Sequence, residues 1–317
     1  MKSGLFLFLG LVLSSSTNQL MADEVATNVT ELLQEDFKND TTWTKAVVCV
    51  VETKTGKIKA NLGYERKGST LVPYTDKYHQ EQNEMETGST YLALLASGKV
   101  TPDQVFDTGY GVYEDIHGNE IKDYNWRRGG NLQICLERAL QVRSQVAFAM
   151  AKDYVYGENT SEFDAQNNTF LAGDPNSSMG ILTFYNAVAN GGKMMKLVPD
   201  GEDETVLQEM MADSLYVAQL QTGLRYCVSQ GLMHKAGRDY VNVSACGRTF
   251  IVKENLRRME LWGYFPSEDP IYTIMVILEK EGLPASAGGM CGPIFAKTVD
   301  LLVDTYKLAL GHPSTKN

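Results

Sequence analysis

The residues best suited to chemistry in this sequence surround Ser89, in the stretch Gly88-Ser89-Thr90-Tyr91. An apolar run from Leu92 to Ala96 follows directly, so the pattern predicts a helix that begins near this serine. A serine at a helix start becomes a nucleophile when a lysine three residues later places its amine beside the hydroxyl, one turn away. Position 92 is leucine, so the serine lacks that base, and Ser89 could equally be a simple helix cap.

Composition and charge are those of an ordinary globular protein. The chain has 317 residues, 43% hydrophobic and 21% charged, enough for one large domain or two smaller ones. Its net charge is −10. Nucleic acids and anionic membranes attract basic surfaces, so this charge argues against both as the main partner.

The N-terminus has the layout of a secretory signal peptide. Lys2 precedes an apolar run from Leu5 to Leu13, and small and polar residues continue to Ala22. A membrane-spanning helix needs about 20 apolar residues, which this run does not reach. We therefore expect residues 1–22 to be a cleaved leader, the protein to be exported to the periplasm or cell envelope of a bacterium, and no transmembrane anchor to be present.

Cysteines and histidines give no sign of a metal or cofactor. The five cysteines are scattered, and an odd number cannot all pair within the chain. Apolar neighbours, as around Cys49, favour buried small side chains over a disulfide framework. The four histidines lack ligand spacing. We therefore expect neither a metal nor a cofactor.

Hydrophobic patterns predict an α+β protein. Strands from both chain ends flank a mostly helical middle, which predicts an antiparallel sheet with a helical insertion. The predicted strands are Ala46–Val51, Ile58–Ala60 after a turn at Lys54-Thr55-Gly56, Val241–Ser244, Arg248–Val252, Met259–Tyr264 and Tyr272–Leu278. The predicted helices are Glu24–Phe37, Cys135–Lys152, Ser178–Asn190, Val206–Val228 and Ile294–Leu310, with a loop over Gly157–Asn176.

Short stretches that recur in one known family are spread along the chain from residue 46 onward. They include Glu52-Thr53-Lys54-Thr55-Gly56-Lys57, Gly88-Ser89-Thr90-Tyr91, Asp107-Thr108-Gly109-Tyr110-Gly111, Lys122-Asp123-Tyr124-Asn125-Trp126-Arg127-Arg128-Gly129-Gly130, Leu182–Gly192, Gly263-Tyr264-Phe265-Pro266 and Gly292-Pro293-Ile294-Phe295. By their number and order, the chain resembles the transpeptidase domain of penicillin-binding proteins, a serine D,D-transpeptidase and β-lactamase-like superfamily. It is most similar to the cell-division and elongation types of Bacteroidetes.

The resemblance implies a fold and a domain layout. The fold is β-lactamase/transpeptidase-like: an antiparallel sheet flanked by helices lies beside an all-helical lobe, with the site between them. Residues 23–317 then form one domain, with strands from about 46–60 and 241–280 and a helical lobe over about 85–230.

The resemblance also implies three catalytic motifs, and each is altered here. Ser89 takes the place of the nucleophile of Ser-x-x-Lys. The lysine is either replaced by Leu92 or lost in a deletion of about one helical turn. Losing a positioned base costs about 10²–10⁴-fold in rate.

The other two motifs are proposed binding positions. Ser-x-Asn becomes Arg143-Ser144-Gln145, where Arg143 brings positive charge into the cleft or belongs to a solvated helix face. Lys-Thr-Gly becomes Arg248-Thr249-Phe250, where Arg248 can still bind a carboxylate. Phe250 replaces a glycine that lets substrate lie against the strand, so we expect its ring to fill the cleft.

The coordinated change in all three motifs favours a non-catalytic pseudoenzyme. We expect it to bind peptidoglycan stem peptides or a cell-envelope protein such as an active transpeptidase. Two alternatives remain open: a working D,D-transpeptidase or D,D-carboxypeptidase that acts through Ser89, and a sensor that binds β-lactam-like ligands without reacting.

Overall fold

A large, mainly antiparallel sheet forms the centre of the protein. The computed structural model describes residues 24–77, 87–171 and 177–308, so the predicted leader over residues 1–22 lies outside the described residues. The strands are β1 (Trp43–Glu52), β2 (Lys57–Lys67), β3 (Thr70–Pro73), β4 (Val105–Asp107), β5 (Val112–Glu114), β6 (Glu120–Lys122), β7 (Gln133–Cys135), β8 (Met194–Met195), β9 (Val198–Pro199), β10 (Val206–Gln208), β11 (Ser244–Lys253), β12 (Leu256–Phe265) and β13 (Tyr272–Glu281). The helices are α1 (24–39), α2 (Thr87–Ala96), α3 (Leu136–Val142), α4 (Gln145–Tyr156), α5 (Thr160–Phe170), α6 (Ser178–Ala189), α7 (Ser214–Ser229) and α8 (Gly292–Tyr306), with single turns at Trp126–Arg128, His234–Ala236 and Ala287–Cys291.

The main sheet joins strands from both parts of the chain. Its order is β11-β12-β13-β1-β2-β3, with antiparallel neighbours, and β9 adds in parallel beside the start of β2. β1 takes a central place because its apolar run, Ala46–Val51, is buried on both faces. The predicted α+β class, with an antiparallel sheet drawn from both chain ends, is confirmed.

The predicted hairpin between β1 and β2 is also confirmed. The two strands pair antiparallel, with a turn at residues 53–55. Gly56 leaves this turn with a φ of +75°, and a Cβ there would lie 2.6 Å from the carbonyl oxygen of Lys196. Glycine is therefore required both by the backbone conformation and by the close approach.

Helices cover both faces of the sheet. On one face α6 contacts β12 and β13, and α7 contacts β11. On the other, a Cβ at Gly247 would lie 3.0 Å from Cβ of Ala287, in the turn that leads into α8. The helices α2–α5 and the short strands β4–β7 form a lobe beside α7. No helix within the described ranges is long and apolar enough to cross a membrane.

The predicted helix from Cys135 to Lys152 is wrong in one respect, because two helices, α3 and α4, occupy the segment. Between them Arg143 adopts a left-handed backbone conformation with a φ of 50°. Ser144 then caps α4, accepting a hydrogen bond of 3.1 Å from the backbone nitrogen of Ala147. Apolar periodicity continues through the break, so the sequence pattern hides it.

The predicted loop over Gly157–Asn176 is also wrong, because Thr160–Phe170 forms α5; residues 172–176 lie outside the described part of the chain. Phe163 and Phe170 are two turns apart, and both are buried. The ring of Phe163 meets that of Tyr156 edge-on, with centroids 5.4 Å apart. The polar residues between these two anchors gave the segment the composition of a loop.

Three predicted boundaries differ from the structure. The helix predicted over Val206–Val228 begins only at Ser214, after Asp213 as its cap, and is preceded by β10. The two strands predicted over residues 241–252 are one strand, β11. The last helix begins at Gly292 and ends at Tyr306; residues 309–310 of the prediction lie outside the described residues.

The cysteines behave as predicted. None of the five forms a disulfide; Cys49, Cys227, Cys246 and Cys291 are buried, and Cys135 is partly buried. Burial raises the pKa of Cys49 to about 12, so its thiol stays protonated and packs as an apolar group.

An arginine with all its donors engaged lies under α6. Arg258 of β12 is fully buried, and its guanidinium binds groups from β12, β13, α6 and the segment after β3. Its acceptors are Glu260 Oε1 (2.6 Å), Glu279 Oε1 (2.8 Å), Asp76 Oδ1 and Oδ2 (3.1 and 2.7 Å) and Ser178 Oγ (2.9 Å). Burial alone would lower the pKa of Arg258, but the charges of Glu260 and Asp76 raise it above its usual value.

Two further cations complete this cluster. Arg248 Nε donates to the second oxygen of Glu260 at 2.6 Å, and Lys45 Nζ lies 2.9 Å from the second oxygen of Glu279. Three cations thus meet three carboxylates. Because each charge has a partner, the burial cost is offset only while the whole set is present.

Replacing Arg258 with methionine tests this dependence. Arg258→Met leaves three carboxylates without their shared partner, so we expect the free energy of unfolding to fall by about 3–5 kcal/mol, measured by chemical denaturation. The matched control is Arg257→Met. The guanidinium of Arg257 donates to Asn255, so we expect a change below about 0.5 kcal/mol. Equal losses in the two variants would contradict the central role of Arg258.

Candidate functional site

The first candidate residue, Ser89, lies in a helix that is packed on all sides. The described part of α2 runs from Thr87 to Ala96, and its residues from Thr87 to Leu95 are all buried. Ser89 is 0% exposed, and Leu92 belongs to the hydrophobic core. The composition of the helix agrees with this, because a helix that is apolar all round is buried all round.

Aromatic rings fill the space between the start of α2 and the sheet. A Cβ at Gly88 would lie 2.7 Å from Oη of Tyr185, so α2 approaches α6 as closely as glycine allows. The Tyr185 ring stacks on that of Trp262, with centroids 5.8 Å apart and planes within 6°. The guanidinium of Arg248 lies 5.4 Å from the Trp262 centroid. Gly88, Tyr185, Trp262 and Arg248 are therefore joined, one to the next, by contacts in space.

The triplet Arg143-Ser144-Gln145 lies at the break between α3 and α4. Arg143 Nε donates to Oγ1 of Thr87 at 3.3 Å, which ties the break to the first residue of α2. Gln145 lines both the cavity described below and a small void beside Thr87. The break thus lies directly against the start of α2.

Ser144 serves the fold rather than the surface of the site. It is fully buried, and its hydroxyl donates to Oδ2 of Asp123 at 2.8 Å. Oδ1 of Asp123 accepts a hydrogen bond of 3.1 Å from the backbone nitrogen of Val146, in the first turn of α4. Ser144 and Asp123 together satisfy the start of α4.

Sequence reasoning missed the role of Asp123. Its partners at the start of α4 lie 21 and 23 residues further along the chain, so no local spacing connects them. The residue stood within the stretch Lys122–Gly130 used for the resemblance, but that stretch carried no role. Only the fold brings this carboxylate to the helix break.

The triplet Arg248-Thr249-Phe250 lies on β11, the edge strand of the main sheet. Arg248 is buried in its ion pair with Glu260. Oγ1 of Thr249 accepts a hydrogen bond of 2.9 Å from the backbone nitrogen of Ala287. Phe250 is buried, with its ring centroid 5.1 Å from the guanidinium carbon of Arg248.

A cavity of about 1360 Å³ lies between the lobe and the edge strand. α4, α5 and the chain around residues 115–128 form one side, and β11 with residues 232–235 and 285–289 forms the other. Arg143, Gln145, Arg248 and Thr249 line it. In the described part of the chain, Ser89, Ser144 and Phe250 are not part of the wall. The ring of Phe250 lies against the guanidinium of Arg248, on the same face of β11, so the expectation that it fills the cleft stays a prediction.

The wall of this cavity carries more cations than carboxylates, but two of the cations are paired with carboxylates outside the wall: Lys122 with Glu120 and Arg248 with Glu260. Among the described residues the wall holds six cationic side chains against three carboxylates, whereas the whole chain has a net charge of −10. The cations are Lys122, Arg128, Arg143, Lys152, Lys235 and Arg248, and the carboxylates are Asp115, Asp153 and Asp164. His/Cys/Asp/Glu groups able to hold a metal ion are absent from the described residues.

Comparison with known proteins gave matches among solved structures. No protein-family model and no curated protein matched the sequence. The TP domain of penicillin-binding protein 3 from Burkholderia pseudomallei is 16% identical, with a TM-score of 0.67 over 94% of this chain and 97% of that one. Penicillin-binding protein 2B from Streptococcus pneumoniae is 11% identical, with a TM-score of 0.74 over 93% of this chain and 60% of that one. The D,D-transpeptidase domain of a peptidoglycan glycosyltransferase from Eggerthella lenta is 14% identical, with a TM-score of 0.67 over 92% and 82%.

Leu92 offers a direct test of the site. Leu92→Lys restores the spacing Ser-x-x-Lys but puts an unpartnered ammonium into the core, so we expect a loss of about 3–5 kcal/mol in the free energy of unfolding. The control Leu92→Met keeps the volume and should cost below about 1.5 kcal/mol. A stable Leu92→Lys protein that forms a covalent adduct with penicillin would show instead that position 92 is a simple replacement of the base.

Proposed function

From the fold of penicillin-binding-protein transpeptidase domains, which this chain has, we propose an exported, non-catalytic relative that binds its ligand in the cavity beside β11. The ligand is a peptidoglycan stem peptide or a segment of a cell-envelope protein such as an active transpeptidase. The N-terminal leader pattern supports export. The proposal is limited to binding, because acyl transfer needs an accessible serine hydroxyl and a base beside it, and Ser89 has neither exposure nor a lysine at position 92.

The burial of Ser89 carries this proposal. A serine nucleophile must reach the carbonyl carbon that it attacks, and a base must lie within hydrogen-bond distance of its hydroxyl. Ser89 is 0% exposed and lies apart from the wall of the cavity, as far as the described residues define it. Leu92, where the base would lie, packs in the core.

The residues proposed to bind the ligand are better placed for their role than the residues proposed for catalysis. The cavity remains large, and residues of both other altered motifs line it: Arg143 and Gln145 from one, Arg248 and Thr249 from the other. The edge strand and α4 therefore still face each other across an open space. This combination supports recognition without turnover.

Penicillin labelling tests the absence of catalysis. We expect the mature protein, incubated with a fluorescent penicillin, to keep its unmodified intact mass and to show no fluorescent band. Ser89→Ala, treated in the same way, should be indistinguishable from it. Circular dichroism on both samples confirms that the fold is intact.

A stable adduct that requires Ser89 would overturn the proposal. The protein would then be a serine D,D-transpeptidase or D,D-carboxypeptidase, and α2 would have to expose Ser89 during the reaction. Reversible binding of penicillin without a mass change would support a sensor of β-lactam-like ligands instead.

A further inference from the structure

We infer that Cys227 and Cys246 are a modification site, at which oxidation forms a disulfide between the last turn of α7 and the edge strand β11. The inference goes beyond the proposed function and rests on it only for export, which brings the chain into an oxidising compartment. It bears on the cavity, because the chain between the two cysteines includes residues 232–235 of the cavity wall.

The two side chains point into the same layer, between α7 and the main sheet. Leu224 and Cys227 belong to the buried face of α7, and α7 contacts β11. On β11 the side chain of Thr249 points to the opposite face of the sheet, where its Oγ1 accepts a hydrogen bond from Ala287. Side chains alternate along a strand, so Cys246, three positions before Thr249, points toward α7.

The two thiols are in contact in the folded chain. The side chain of Cys227 makes a hydrogen bond with that of Cys246, and the two residues are only 1% and 2% exposed. This hydrogen bond, together with burial, raises the pKa of Cys227 well above its usual value, so its thiol stays protonated. Sulfur atoms already in contact need only a small side-chain rotation to reach the separation of a disulfide, about 2.0 Å.

The reaction needs an acceptor for two electrons, and a disulfide oxidant supplies it. The thiolate of one cysteine attacks the S–S bond of the oxidant, which forms a mixed disulfide and releases one reduced thiol. The second cysteine then attacks the protein sulfur of this mixed disulfide. The bond between Cys227 and Cys246 forms, the second reduced thiol leaves, and the two protons of the cysteines end on the two thiols of the oxidant.

Burial places this reaction during folding. In the folded chain neither thiol can be reached by an oxidant, and the thiolate needed for attack is disfavoured. In the unfolded exported chain both thiols are open to the oxidant, and packing of α7 on β11 brings them together. The same packing afterwards shields the bond from reductants.

The disulfide closes a loop that carries part of the cavity wall. Within this loop the backbone nitrogen of Met233 donates to the carbonyl oxygen of Cys227 at 2.9 Å, and that of Leu232 donates to Gln141 of α3 at 3.1 Å. A bond across the ends of the loop lowers the conformational entropy of the unfolded chain and thereby stabilises the fold. This side of the cavity is then fixed to β11 covalently.

The other three cysteines lie on different elements and provide an internal reference. Cys49 is on β1, in the middle of the sheet, and Cys135 ends β7. The thiol of Cys291 donates to the carbonyl oxygen of Met259 at 3.5 Å. We expect these three thiols to stay reduced.

Counting thiols tests the inference. The mature protein is reduced and unfolded, refolded in a mixture of glutathione and glutathione disulfide, and alkylated in denaturant. We expect the intact mass to show labels on three of the five cysteines, and on all five if the sample is reduced again before alkylation. Labels on all five without that second reduction would overturn the inference.

Peptide mapping identifies the pair. Trypsin cleaves after Lys235 and Arg238, so Cys227 and Cys246 fall in separate peptides, residues 226–235 and 239–248. We expect these two peptides to be linked in the oxidised sample and separate after reduction. A disulfide through any other cysteine would overturn the inference.

Stability under the two redox conditions adds a matched comparison. The urea midpoint of protein refolded with glutathione disulfide should lie about 0.5 M above that of protein refolded with reductant. The triple variant Cys49→Ala/Cys135→Ala/Cys291→Ala should keep this difference, and Cys227→Ala should abolish it. A difference of the same size in Cys227→Ala would contradict the pairing.

Expression of the full chain in a bacterium that has a periplasm keeps this inference apart from the proposed export. Periplasmic protein with three labels supports both. Periplasmic protein with five labels supports export and overturns the disulfide. Protein retained in the cytoplasm that yields the linked peptides after refolding with glutathione disulfide overturns export and supports the disulfide.

Discussion

The structure depends most on one buried cation, Arg258. Its five N–H groups join β12 to β13, to the first residue of α6 and to Asp76, which precedes α2 in the chain. Two strands, the first residue of one helix and the segment after β3 therefore share one guanidinium. Since its partners are carboxylates in a dry interior, none of them can be moved without leaving another charge uncompensated.

This buried cluster also determines which cations of the cavity wall are already paired. Glu260 binds both Arg258 and Arg248, so the guanidinium of Arg248 is fixed within the sheet. The other cations of the cavity wall lie on β6 and the turn around Arg128, at the break before α4 and on α4, and after α7. The structure thus divides its basic residues between a buried set that holds the fold and an outer set that faces the cavity.

Sequence patterns predicted the fold better than the site. The apolar run of β1, the hairpin at Gly56 and the helix predicted over Ser178–Asn190 rest on local signals, and each was confirmed. The break at Arg143 was missed, because its cause is the distant carboxylate of Asp123 acting on the start of α4. α5 was missed, because only two aromatic anchors support it. The family motifs identified Arg143, Gln145, Arg248 and Thr249, whose side chains meet in one cavity, but no pattern indicated the outer cations.

The packing of α2 gives a physical basis for the proposed separation of binding from catalysis. A nucleophilic helix start needs one polar face that is open to substrate, yet α2 is enclosed by α4, α5, α6 and α7. With leucine at position 92 the helix is apolar on every side, so full burial becomes its most stable arrangement. The cavity lies between other elements, the edge of β11 and the lobe, and does not require an open α2. Under the proposed function, the change at position 92 therefore alters α2 and leaves the walls of the cavity in place.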